Sequence, residues 1–293
     1  MNILSIQSHV AYGHVGNSAV VLPLQRLGHT VWPVHTVMLS NHAGYPDHAG
    51  RVIPEGELRT VIDALERRGA LAQCDGILSG YLGDVAVGEV VLDTADRVRQ
   101  YNGGVLYCCD PVIGDDGAVY VDDGIAQFMR ERAAPSADIV TPNLFELTML
   151  TEGVPNALAG APLEDIIAAA QTLLAPDRRA SVILVTSVAP ATLPATQVAM
   201  TAVTDAGAWL VTTPKIPFAT PPHGAGDLCA ALFSAALLDQ NKGDAAAALS
   251  HTASAIYALL DETARVGKSE LALVEAQDLL LAPPKIFHPE TIS

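Results

Sequence analysis

The run His223-Gly224-Ala225-Gly226-Asp227 puts a carboxylate directly behind three small residues, just before a strongly apolar helix candidate at 228–238. Small residues let backbone approach a ligand closely, and the free N–H groups at a helix start attract an anion. A carboxylate would repel a bound phosphate. It makes chemical sense if Asp227 takes a proton from a hydroxyl while the Gly224, Ala225 and Gly226 amides stabilise a phosphoryl group in transfer. A glycine-containing turn with Asp227 as an ordinary N-cap would use the same residues.

Three further runs carry polar groups at the ends of apolar segments. In Thr141-Pro142-Asn143-Leu144-Phe145-Glu146, Asn143 and Glu146 stand three apart on one helix face and could hold a hydrated Mg²⁺. Helix-start chemistry, with Thr141 capping and Pro142 in the first turn, is the structural alternative. In Cys109-Asp110-Pro111-Val112-Ile113-Gly114-Asp115, Asp110 ends an apolar strand, where open α/β sheets place their ligands. Its charge, added to that of Glu146, suits a divalent ion carrying nucleotide phosphates, whereas Asp-Pro alone would make a turn. The amino-terminal loop begins at Ser8, which can donate to or accept from a small polar ligand. Signatures of the Walker, dinucleotide-binding, serine-hydrolase and zinc-protease kinds do not occur.

These residues need a sheet to carry them. Short apolar runs at 2–7, 30–38, 76–79, 105–110, 138–140 and 182–186 read as strands. Amphipathic runs at 17–27, 55–68, 85–101, 124–132, 144–150 and 163–174 read as helices. Several of the strands are apolar throughout, as expected when helices cover both sheet faces, and the alternation predicts parallel strands with crossover helices. Segments 197–204 and 208–213, joined by Asp205-Ala206-Gly207, predict a β-hairpin. Two Ala-rich helices follow at 228–238 and 245–260, and 187–196 reads as a loop able to close over a ligand. The expectation is one domain over 1–293, a three-layer α/β/α sandwich with a mostly parallel central sheet.

Composition narrows the partners. Of 293 residues, 16 are basic and 32 acidic, a formal charge of −16 that disfavours nucleic acid and anionic membrane surfaces. Mean hydropathy is +0.31, yet the longest apolar stretch, 228–238, is too short to span a bilayer. No basic segment precedes the apolar residues 3–6, so no secretory leader is expected. Cys74, Cys108, Cys109 and Cys229 form no C-x-x-C pair and read as buried thiols in a reducing cytoplasm.

The joint pattern resembles the ribokinase-like superfamily, on G-A-G-D opening a late helix and N-x-x-E in mid-chain. It is similar to the pyridoxal kinase family at I-Q-S-H-V-A-Y-G-H-V-G-N-S, S-N-H-A-G-Y, L-S-G-Y-L-G, C-D-P-V-I-G-D and T-P-N-L-F-E-L. The resemblance implies ATP as co-substrate, Mg²⁺, room for a monovalent cation, and a homodimer. It implies pyridoxal as acceptor, with Ser8, Val15, Tyr81 and the flap residues Ala43 and Gly44 around its ring, and His223 where an apolar residue is usual. Asp227 becomes the base for the 5′-hydroxymethyl group, and Gly224, Ala225 and Gly226 the anion hole. Asp110, Asp115, Thr141, Glu146, Thr186 and the segment Thr213, Pro214, Lys215, Ile216 match nucleotide-site positions, with Asp110, Asn143 and Glu146 nearest the metal. Same-fold kinases for other B6 vitamers or hydroxymethylpyrimidine are alternatives, as is a silent vitamer-binding regulator.

Overall fold

The computed structural model describes residues 1–115, 118–239 and 244–292. It begins with β1 (Asn2–Val10), α1 (Asn17–Arg26), β2 (Thr30–Leu39), β3 (Gly50–Val52) and α2 (Glu55–Arg67). Then come β4 (Gly76–Ser79), α3 (Val85–Tyr101), β5 (Leu106–Cys109) and a small ribbon of β6 (Gly114–Asp115) and β7 (Ala118–Val119). Next are α4 (Asp123–Phe128), α5 (Ala134–Ser136), β8 (Ile139–Val140), α6 (Leu144–Thr151) and α7 (Leu163–Thr172). The last third holds β9 (Val182–Val188), β10 (Gln197–Thr204), β11 (Gly207–Pro214), α8 (Ala225–Asp239), α9 (Ala245–Val266), α10 (Gln277–Leu281) and β12 (Glu290–Ile292).

Ten strands join one sheet in the order β12-β11-β10-β9-β8-β5-β4-β1-β2-β3. The six from β9 to β2 run parallel, and antiparallel strands extend both edges. The predicted hairpin is β10–β11, closed by the Thr204↔Gly207 pair. Side chains alternate between two cores, one on each face of the sheet. Leu4, Ile77, Tyr107, Cys109, Val140, Ile183 and Val185 pack under α2, α3 and α7. Ile3, Leu78, Cys108, Ile139, Val182 and Leu184 pack under α1, α8 and α9. Helices on both faces of a sheet whose centre is parallel make the three layers expected from the apolar runs.

The chain leaves β1 for β2 on one side and returns to β4 on the other, so the winding direction reverses between β1 and β4. Such a reversal opens a crevice at the carboxyl ends of the strands. The register of β1 against β2 also slips between Gln7 and His9, and Ser8 lies at that slip.

Candidate active site

The carboxyl ends of all six parallel strands contribute to one edge. Residues 43 and 44 follow β2, Ser8 and Val15 belong to β1 and the loop after it, and Tyr81 follows β4. Asp110 follows β5, Thr141 follows β8, and Thr186 lies near the end of β9. Ser8, Asp110, Thr141, Glu146 and Thr186 are all buried polar residues. Burying polar groups is costly unless they are paired or used. Their concentration at this edge therefore marks it out.

Asp227 reaches the same edge from the first turn of α8, which begins at Ala225 and not at the first strongly apolar residue, Leu228. Ala225 and Gly226 leave no hydropathy signal, so the sequence pattern hides the turn that matters. The Leu228 N–H already bonds the Gly224 carbonyl at 3.1 Å, which leaves the preceding amides without an intrahelical acceptor. Gly224 has φ of +91°, and a Cβ there would stand 1.8 Å from the His14 carbonyl oxygen. Only glycine allows the amino-terminal loop and the α8 turn to meet this closely. Across that junction the Gly16 N–H donates to the Asp227 carboxylate, as does the N–H of Asp227 itself. Burial outweighs these donors and pushes the Asp227 carboxyl up from 3.8 to about 6. A carboxylate so tuned is mostly ionised at neutral pH yet basic enough to accept a proton.

Asp110 is held further above the usual carboxylate range, by burial first and then by Glu146 and Asp227 nearby. Thr141 Oγ1 donates to its Oδ1 at 3.3 Å. Glu146 is raised to about 8, again chiefly by burial. Its Oε1 accepts from Ile113 N at 3.0 Å and its Oε2 from Asn143 N at 2.9 Å. Asn143 Oδ1 in turn accepts from Glu146 N at 2.8 Å, which completes a capping box on α6. Its Nδ2 donates to Gly114 O at 2.9 Å. The spacing that suggested a shared metal face for Asn143 and Glu146 is here the spacing of a helix cap. Asn143 anchors the α6 start to β6, with its amide oxygen and its amide nitrogen each in one hydrogen bond.

Asp110 and Glu146 are buried and Asp227 is half-buried. Asp110 feels the other two, and among the described residues no Lys or Arg forms an ion pair with any of the three. Uncompensated oxygen donors of this kind fit a hard divalent cation. No three His, Cys, Asp or Glu side chains among the described residues converge tightly enough to make a cage. The arrangement suits Mg²⁺ held by one or two carboxylates, with waters and phosphates filling the remaining positions.

At the far end of the same edge, a bulge in β9 sets Thr186. Val185 pairs with Thr201 and Val188 with Ala199, so the register shifts across Thr186 and Ser187, with Ser187 at φ of +56°. The Thr186 N–H bonds Pro142 O at 2.9 Å, tying the threonine to the segment that carries Thr141 and Asn143. Bulges of this sort re-aim a side chain at a site. Thr213 and Pro214 end β11, and the Lys215 N–H donates to Thr196 O at 2.7 Å. That bond links the 213–216 segment to the 187–196 loop. Lys215 is exposed, Ile216 is half-buried and Asp115 lies exposed on the β6–β7 ribbon.

The flap after β2 holds residues that the sequence pattern passed over. Ala43 and Gly44 are exposed at its tip. The His42 ring stacks on His223 with centroids 3.9 Å apart, so His223 faces the flap. His42 Nδ1 accepts from the Gly44 N–H at 3.0 Å. Burial and the His223 neighbour lower His42 to about 4, which keeps that nitrogen free to accept. The motif S-N-H-A-G-Y marked the flap without showing which of its residues hold it.

A profile of the phosphomethylpyrimidine kinase family matches residues 54–273. Pyridoxal kinase PdxY of Corynebacterium diphtheriae is 45% identical over 294 residues, covering 100% of each chain. This chain belongs to the pyridoxal kinase family. Pyridoxal kinase PdxY of Rubrobacter xylanophilus is 49% identical, with 98% of this chain and 96% of that one covered. The structure of pyridoxal kinase from Leishmania donovani in complex with ADP and pyridoxamine matches with a TM-score of 0.89 at 25% identity, covering 100% of this chain and 99% of that one. The kinase therefore has the ribokinase-like fold, and no helix among its described residues is long and apolar enough to cross a membrane.

Proposed function

We propose that the enzyme transfers the γ-phosphoryl group of ATP to the 5′-hydroxymethyl oxygen of pyridoxal, giving pyridoxal 5′-phosphate and ADP in vitamin B6 salvage. The observation that carries this reading is Asp227, raised to about 6 within the first turn of α8 beside amides free to bind an anion. The proposed acceptor sits over Ser8 and Val15, under Tyr81 and the Ala43–Gly44 flap, with its 5′-hydroxyl at Asp227. As that oxygen attacks the γ-phosphorus, Asp227 takes its proton, and the Gly224, Ala225 and Gly226 N–H groups donate to the phosphoryl oxygens. The leaving group is ADP.

Thr141, Thr186 and the 213–216 segment are proposed to hold the nucleotide, with the 187–196 loop closing over it. Asp110, with the capped Glu146 behind it, would hold Mg²⁺, which when bound neutralises phosphate charge. Most of the rate enhancement then comes from positioning and charge stabilisation, as phosphoryl transfer requires. The ten-stranded sheet takes in strands from both ends of the chain, which supports one kinase domain. Four buried free cysteines support a reducing, cytoplasmic setting. A homodimer is proposed on the family resemblance.

The family profile keeps hydroxymethylpyrimidine in view as an acceptor. Kinetics with ATP on pyridoxal, pyridoxine, pyridoxamine and hydroxymethylpyrimidine are expected to give the highest kcat/KM for pyridoxal. A higher value for the pyrimidine would overturn the substrate assignment and leave the phosphotransfer chemistry in place.

A further inference from the structure

Glu270 lies in none of the motifs above, yet it touches two of the segments that form the acceptor site. Its Oε1 accepts from the Tyr45 hydroxyl on the flap. Its Oε2 accepts from the His14 N–H in the amino-terminal loop at 3.1 Å. A Cβ at Gly13, which has φ of +92°, would stand 2.5 Å from that same Oε2, so only glycine lets the carboxylate reach the loop backbone. Next to Glu270, Leu271 is buried, and its Cδ1 would lie 3.4 Å from a Cβ on Gly224. The carboxylate is thus rooted beside the anion-hole turn.

We infer that Glu270 is a positioning residue that clasps the flap, through Tyr45, to the loop carrying Ser8, Val15 and Gly16, and so retains the acceptor alcohol. The inference rests on the site assigned under Proposed function. The clasp joins residues 225 and 256 positions apart in the chain, so its geometry comes from the fold and not from local sequence. Tyr12 adds an edge-to-face contact with Tyr45 at 6.1 Å. The Tyr45 phenol is raised above its ordinary value, with the hydrogen bond to Glu270 as the largest cause, as expected when the donor proton is held by a carboxylate. The stack of His42 on His223 ties the other side of the flap to the α8 turn. The acceptor side is therefore closed by two contacts, while the nucleotide side, from Asp110 to Ile216, is not touched by either.

The test is steady-state kinetics on Tyr45→Phe, Glu270→Gln, Glu270→Ala and the Tyr45→Phe/Glu270→Ala double variant, with melting temperatures. Wild-type turnover of pyridoxal is measured first, because its absence would remove the site assignment itself. Given turnover, Tyr45→Phe and Glu270→Ala are each expected to raise KM for pyridoxal about tenfold, the scale of a lost hydrogen bond to a charged acceptor, with KM for ATP within about twofold. Glu270→Gln keeps one acceptor oxygen and should fall between wild type and Glu270→Ala. The double variant should be no worse than the poorer single one, because both remove the same contact. Pyridoxal KM within about twofold of wild type in both single variants would overturn the clasp. Equal rises in both KM values together with a lowered melting temperature would also overturn it, assigning Glu270 to general folding.

Discussion

Asp227→Asn is expected to lower kcat about 10²–10⁴-fold, the range for loss of a general base, while KM for ATP and pyridoxal stays close to wild type. The amide keeps the size of the carboxyl and an oxygen that can accept from Gly16 N–H, so the junction between loop and helix survives. The variant cannot take the hydroxyl proton. The wild-type kcat/KM should also fall on the acid side with a limb near pH 6, where the Asp227 carboxyl titrates. In Asp227→Asn the residual rate should lack that limb.

The same substitution should make the protein more stable at neutral pH. The folded-state value near 6 exceeds the ordinary 3.8, so the folded protein binds this proton more tightly than the unfolded chain. Any stabilisation from that proton is fully present below about pH 4 and is lost as pH rises through 6. Above that range wild type carries the cost of a partly desolvated charge that Asn does not, about 1–2 kcal/mol after allowance for solvent screening. Melting at pH 8 should favour Asp227→Asn by a few degrees, and the gap should close towards pH 4. Equal kcat in the two proteins, or a destabilised variant at pH 8, would contradict the role assigned to Asp227.

Gly224→Ala is expected to be nearly as damaging for a different reason. At φ of +91° an L-residue is strained, and its Cβ would fall 1.8 Å from the His14 carbonyl oxygen and 2.9 Å from the His14 carbon. Both obstacles are backbone, so no side chain can rotate away. Either the amino-terminal loop or the start of α8 must move, and a displacement of about 1 Å at a reacting centre can cost about a hundredfold in rate. Lower kcat/KM and a lower melting temperature should therefore appear together. Gly226→Ala makes the contrast, since nothing lies within 4 Å of a Cβ there. Alanine is the better helix former, so that variant should melt no lower than wild type. Any activity loss in it would come from the added methyl group itself and not from a displaced backbone. A Gly224→Ala protein with wild-type activity and melting would contradict the close junction.

Much of the fold was readable because the central strands are buried on both faces. Ile77 and Leu78, or Ile183 and Leu184, are apolar in succession and pack into opposite cores. Cys108 and Cys109 take opposite faces for the same reason. The short edge strands β3 and β12 and the β6–β7 ribbon were not readable. Each of these strands has only two or three residues, and apart from Gly114 none of them is buried; a partner strand, not their own pattern, makes them strands. The helix expected over 124–132 instead stops as α4 at Phe128 and passes through a π-helical turn, Met129–Ala133. Pro135 supplies no N–H to continue the ladder.

The site divides along the same line. Asp110, Thr141 and Thr186 stand at strand ends, which hydropathy marks, whereas Asp227 stands out by its glycine-rich run and not by hydropathy; the structure brings all four to one edge. Tyr45 and Glu270 meet only through the fold, so no local spacing could pair them. The charge of −16 likewise misleads about the ligand. An acidic protein can bind polyphosphate when helix-start amides and a divalent ion, in place of a basic patch, meet the negative charge.

The most direct measurement is product analysis of the purified protein with ATP, Mg²⁺ and either pyridoxal or 5′-deoxypyridoxal, which lacks only the acceptor oxygen. Pyridoxal should yield ADP and pyridoxal 5′-phosphate in equal amounts. The deoxy analogue should yield neither phosphorylated vitamer nor ADP above background, and should inhibit competitively with pyridoxal. ADP release undiminished by the missing oxygen, or no phosphorylated product from pyridoxal, would contradict phosphoryl transfer to the 5′-hydroxyl at Asp227.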